Sequence, residues 1–121
     1  MTTTVRSYRE LVIWQKAMEL VKLIYRLMSR FPTYERYGLA DQMRRAAVSV
    51  PSNIAEGQAR QHTGEFRHFL YIALGSLAEL ETQALIAHDV AYLTGDELSE
   101  TEALIGEIRR MIYGLIRNLP K

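Results

Sequence analysis

Cysteine is absent from the 121 residues, so neither a disulfide framework nor thiolate chemistry is available. Proline is scarce, with three residues at positions 32, 51 and 120. No uninterrupted run approaches the about 18 apolar residues of a membrane span. The opening MTTTVRSYRE has no apolar core of the kind a secretory signal needs. A cytoplasmic protein without a membrane partner is the expectation. Strand-like alternation, tandem repeats and low-complexity tracts are missing. So are the Gly-x-x-x-x-Gly-Lys phosphate loop and the dinucleotide glycine fingerprint. Ser49, Ser52 and Ser76 stand among small residues, and no histidine base marks any of them as a nucleophile. The net charge is only +1, which does not by itself suggest a nucleic-acid binder.

The charges are nevertheless unevenly placed. Residues 1–45 hold nine Lys/Arg against four Asp/Glu, residues 46–108 hold two against ten, and residues 109–121 hold four against none. Such asymmetry fits either a basic surface for nucleic acid or basic ends that pair with an acidic middle. The second suits most of these charges better.

Helical periodicity dominates the chain. After a flexible arm at residues 1–8, a first helix is expected over residues 9–30. It carries two apolar stripes, one through Leu11, Trp14, Met18 and Val21, the other through Ile13, Ala17, Leu20 and Ile24. Two stripes exceed the usual apolar face of a helix. Either the helix packs on two neighbours or part of it meets another subunit, and Tyr8, Leu11, Val12 and Trp14 are the candidate subunit interface. Phe31-Pro32 ends this helix. Thr33 is placed to cap a short turn through Arg36.

The second helix is expected from Gly38 to Arg60, with apolar residues at Leu39, Met43, Ala47, Val50 and Ile54. That phase persists across Pro51, which predicts one helix kinked at the proline rather than two helices. Its opposite face is a polar line. Either water solvates it, or it is a seam buried against a partner helix, with Arg45, Asn53 and Glu56 on one side and Glu79 of the third helix on the other. Glu56 and Glu79 could meet as an acid pair, but the nearby arginines favour a structural ion-pair seam over acid–base work. Gly57 weakens the last turn.

Thr63 is the expected N-cap of a third helix reaching about His88, and Thr94 with Glu97 has capping-box spacing for a fourth that Pro120 stops. Four helices and short links predict a single all-α domain, an antiparallel up-down-up-down four-helix bundle. Bundles can hold di-iron sites, which need two Glu-x-x-His motifs. Only Glu65 to His68 matches, so no metal, no cofactor and no catalytic residue is expected. For nucleic acid, the candidate contacts are Lys22, Arg26 and Arg30 at a spacing of four on the first helix, then Arg109, Arg110 and Arg117.

Several segments resemble one family in order and spacing. They include Trp14-Gln15-Lys16-Ala17, Phe31-Pro32, Glu35-Arg36-Tyr37-Gly38-Leu39 and Gln42-Met43-Arg44-Arg45-Ala46-Ala47. They continue with Ser49-Val50-Pro51-Ser52-Asn53-Ile54-Ala55-Glu56-Gly57, Ile72-Ala73-Leu74-Gly75-Ser76 and Glu79-Leu80-Glu81-Thr82. The chain is similar in these to the four-helix proteins encoded in intervening sequences of bacterial 23S ribosomal RNA genes. It is similar also to the accessory variability proteins of diversity-generating retroelements. The resemblance implies a homopentameric four-helix bundle without known enzymatic activity. For the retroelement relatives it implies binding to nucleic acid and to a reverse transcriptase. The expected partners are therefore copies of the chain itself, with RNA or a nucleic-acid-processing protein second. A protein–protein scaffold that binds no nucleic acid is the alternative.

Overall fold

The computed structural model describes residues 7–120. Among them are four helices and no strand: α1 (Val12–Met28), α2 (Leu39–Ala59), α3 (Thr63–Asp89) and α4 (Gly95–Asn118). Short helical turns precede α1 (Tyr8–Glu10) and α2 (Thr33–Glu35). Residues 1–6 of the expected arm lie outside the described residues. Tyr8 belongs to the first turn, which Ser7 caps by accepting from the Arg9 amide at 3.1 Å. The chain is extended at Leu11, so α1 starts three residues later than its periodicity predicts.

The helices form a four-helix bundle in which α1 packs on α2, α2 on α3, α3 on α4 and α4 on α1. The second predicted stripe of α1 is its core face: Ile13, Ala17, Leu20, Ile24 and Leu27 are buried. It meets Met43, Val50 and Ile54 of α2, Leu70, Leu77 and Leu80 of α3, and Ile105, Ile108 and Ile112 of α4 in one continuous core.

The ends are set by local chemistry. Glu35 reaches forward to accept the Leu39 amide at 3.0 Å, satisfying one free N–H at the start of α2. Thr33 is not the cap of the turn before it. That position falls to Pro32, and Thr33 is the first residue of the turn. α2 continues without interruption through Pro51. Thr63 likewise opens α3 rather than capping it, because His62 holds the extended cap position. The Thr94–Glu97 capping box is present in both directions, at 3.1 and 2.9 Å.

Gly57 does more than loosen a helix end. A Cβ there would stand 2.7 Å from Phe69 Cβ and 3.1 Å from Phe66, so the glycine lets α3 approach the α2 backbone. α3 ends in a left-handed residue, Ala91 (φ 66°), where glycine is usual. The Tyr92 amide returns to the Ala87 carbonyl at 2.8 Å and the Ala91 amide to that of His88 at 3.0 Å. This turn delivers Tyr92 to the end of the bundle where the link between α1 and α2 lies.

Candidate assembly and nucleic-acid surfaces

The basic stripe of α1 faces the acids of α4. Lys16 lies 3.5 Å from Glu107, Arg26 lies 3.5 Å from Glu100, and Arg30 pairs with Glu97. On α3 and α4, Arg109 meets Glu81 at 2.8 Å. Three of the six candidate nucleic-acid contacts, Arg26, Arg30 and Arg109, are thus matched by carboxylates within the chain. Lys22, Arg110 and Arg117 are exposed and have no acid partner among the described residues. Arg110 and Arg117 stand about two turns apart on α4. Tyr113, 44% exposed, falls between them on the same side. That aromatic was missed in the sequence because its phase also fits the flank of the core stripe.

The polar line of α2 is built differently from the expected seam. Asn53 Nδ2 donates to the Ser49 carbonyl at 2.8 Å and to Ser49 Oγ at 2.9 Å. Ser76 Oγ of α3 donates to Ser49 Oγ at 2.8 Å. The contact across α2 and α3 is therefore a Ser–Ser bond with Asn53 behind it. Glu56 is exposed and pairs with Arg60 at 3.0 Å, one turn on. Arg45 is exposed and pairs with Asp41 at 2.9 Å. Glu79 is exposed and accepts only from Gln83 at 3.4 Å. Arg45, Glu56 and Glu79 do not meet one another within one chain. Long side chains at these positions reach along their own helix, whereas the short hydroxyls of Ser49 and Ser76 fit the narrow gap between α2 and α3.

The N-terminal apolar residues do come together. Tyr8 stacks edge-on against Trp14 with ring centroids 5.2 Å apart. Both line an apolar groove of about 300 Å³ between α1 and α2, with Met18, Val21, Val48 and Pro51. Leu11 packs on the core from its edge, and Val12 is 55% exposed. Beyond Val48 the surface continues to Tyr25 and Arg45.

A second uncovered apolar surface lies on α3 and its C-terminal end. Tyr71, Ile72, Leu85, Ile86 and Val90 are exposed there, at 38% to 52%. Tyr71, Gly75, Ala78, Thr82 and Leu85 recur at spacings of four and three, which keeps them on one side of the helix. α3 contains an 18-residue window of mean hydropathy 1.2, long and apolar enough to cross a membrane, and only 44% of it is buried within the chain. A search for uninterrupted apolar runs passes over this window. The core stripe of α3 was legible in the sequence, but its second apolar face was not recognised, because Glu79, Glu81 and Thr82 break it up.

At one end of the bundle, Tyr34 and Tyr37 are 78% and 87% exposed. The Tyr92 hydroxyl donates to Glu35 at 2.9 Å and lies 3.0 Å from that of Tyr34. Beside Tyr34, desolvated and donating to the Glu35 carboxylate, the Tyr92 phenol is pushed well above its ordinary value. For metal, the described residues contain no group of three or more His, Asp or Glu side chains that could hold an ion. Glu65, in the one Glu-x-x-His motif, lies 3.3 Å from Arg60.

The model of a family described as 23S rRNA-intervening sequence protein matches residues 9–114. No curated protein matches the chain significantly. A solved structure of a Bacteroides thetaiotaomicron protein, described as of unknown function and from the S23 ribosomal protein family, is similar with a TM-score of 0.82. Identity is 22%, over 88% of this chain and 100% of that one. At that identity the likeness concerns the fold.

Proposed function

The chain belongs to the 23S rRNA-intervening sequence protein family, and we propose that it is a non-enzymatic cytoplasmic module that assembles with copies of itself. The observation that carries this reading is the uncovered apolar face of α3. Exposed apolar side chains gathered on one helix in this way mark an interaction surface. Its occupant is the α1–α2 groove of a second copy. Charge favours that choice: Glu79 interrupts the α3 face, and Arg45, with 79% of its side chain exposed, borders the groove. Two α3 faces packed on each other would bring Glu79 near its own copy, and lipid would leave it unpaired. Head-to-tail pairing joins Glu79 to Arg45, so the predicted polar seam forms between subunits. A head-to-tail interface that closes gives a ring. The number five comes from the family resemblance.

Two finer points of architecture belong to the same reading. The helices run alternately up and down, supported by the pairs Lys16–Glu107 and Arg30–Glu97, Ser49–Ser76 and Arg60–Glu65, and Glu81–Arg109. α2 bends at Pro51, because proline cannot donate to the Ala47 carbonyl.

RNA association is assigned to the assembled form, through Lys22, Arg110 and Arg117 with Tyr113 between the arginines. The alternative, a scaffold for another protein, is favoured by the internal neutralisation of Arg26, Arg30 and Arg109. Because the chain has no cysteine, engineered ones report the interface cleanly. A mixture of Val48→Cys and Leu85→Cys chains should form a disulfide-linked heterodimer under oxidation, and neither variant alone should dimerise. Dimers of Leu85→Cys alone would overturn the head-to-tail arrangement.

A further inference from the structure

The geometry points to the tip formed by residues 33–37 as a site for single-stranded nucleic acid, with Tyr34 and Tyr37 stacking on unpaired bases and Arg36 and Arg44 holding phosphate. This deepens the RNA reading above and rests on it. Tyr34, Arg36 and Tyr37 belong neither to the basic stripes nor to the assembly surface, and Arg44 lies at the edge of the latter.

Three observations converge. First, Tyr34 and Tyr37 are the two most exposed large apolar side chains described, and neither ring is part of the core. Second, Tyr34 is exposed yet tethered. The Glu35 carboxylate is an acceptor only, so the Tyr92 hydroxyl gives it its proton, and the Tyr92 oxygen accepts from Tyr34. Glu35 is itself fixed by the Leu39 amide. Tyr92 is anchored by its ring against Phe31, 5.1 Å between centroids. This chain of bonds positions an aromatic ring in water before any ligand arrives, which lowers the cost of ordering it on binding.

Third, a cavity of about 290 Å³ is lined by Thr33 and Arg36 of the same tip, with Ser29 and Arg44 among others. Arg36 has no acid partner among the described residues. Arg44 donates to the Arg36 carbonyl at 3.1 Å and lies 3.8 Å from Asp41, whose other oxygen accepts from Arg45 at 2.9 Å. Two guanidiniums with free donors and the Thr33 hydroxyl suit a phosphate group, while the Ser29 hydroxyl is already given to the Arg26 carbonyl at 2.7 Å. Arginine and exposed aromatic rings together make the platform that single strands use, where bases stack and phosphates are neutralised. A duplex, whose bases are already stacked, would gain only the phosphate contacts.

Fluorescence anisotropy with labelled single-stranded RNA of about 12 nucleotides, and with a duplex of the same length, tests this. The protein is the full chain in its native assembly. The expected result is tighter binding of the single strand, weakened about tenfold by Tyr37→Ala and retained by Tyr37→Phe, which keeps the ring. Arg36→Gln should weaken both probes. Tyr37→Ala binding as wild type, or a duplex bound as tightly as the single strand, would overturn the stacking site. If Arg110→Gln/Arg117→Gln then still weakened both probes, RNA binding would stand without the tip. Binding of neither probe at low salt would remove the tip site and the RNA reading together.

Discussion

A single methyl group at Gly75 should act in opposite directions on the isolated subunit and on the assembly. Gly75 lies in the interior of α3, and a Cβ placed there meets nothing within 4 Å in its own chain. No glycine in the described residues has a positive φ, so the backbone does not require one. Glycine within a helix is about 1 kcal/mol less favourable than alanine. Gly75→Ala should therefore stabilise an isolated subunit by about 1 kcal/mol, raising its midpoint by about 4 °C. In the assembly the same residue lies between Tyr71, Ala78 and Thr82 on the face proposed to receive a second copy. A methyl forced into a packed interface costs about 1–3 kcal/mol, which weakens association about 5- to 150-fold. Urea denaturation in a Leu85→Glu background, which keeps subunits apart, measures the first effect. Sedimentation velocity over a dilution series of otherwise wild-type protein measures the second. A stabilised subunit with unchanged association would take Gly75 and its neighbours out of the interface. A subunit that is not stabilised would refute the helix argument itself.

Gly57→Ala should do the reverse in the subunit: the contact with Phe69 Cβ at 2.7 Å forces α2 from α3, and overpacking of about 1–3 kcal/mol exceeds the propensity gain. Thermal unfolding should show a lower midpoint. Glu97→Gln with Glu100→Gln frees Arg30 and Arg26. Gel-shift titration should then show tighter RNA binding with a steeper salt dependence, by about 0.7 per added single-strand phosphate contact. The raised Tyr92 phenol predicts a late phase in an alkaline ultraviolet titration. Its bonds with Tyr34 and Glu35 are intact below about pH 10, the ordinary tyrosine value, and are lost as pH climbs through the raised one. Tyr92→Phe should abolish that phase.

The bundle was readable because its signals are periodic and local. The stripe from Ile13 to Leu27, the apolar phase across Pro51 and the Thr94–Glu97 box each lie within a few turns of one helix. Caps that depend on backbone angle were less readable: Thr33 and Thr63 have the right side chains but sit one residue inside their elements. The polar seam does not close within one chain for a different reason. Whether Glu56 reaches α3 or Arg60 depends on the distance between helices, and Gly57 and Ser49 bring them too close for long side chains. Charge counting could not show that Arg26 and Arg30 face Glu100 and Glu97, because those partners are more than sixty residues away in the chain. The outer face of α3 and the tyrosines of the tip were visible as residues, but only the folded chain shows which apolar side chains the core leaves uncovered.

The mass of the wild-type protein in solution tests the central claim most directly. Size-exclusion chromatography with light scattering at micromolar concentration should give an integer multiple of the chain mass, five by family resemblance. Leu85→Glu should give the mass of one chain with its helical circular dichroism intact. A single-chain mass for the wild type would contradict the self-assembling module and leave the apolar face of α3 to a different protein.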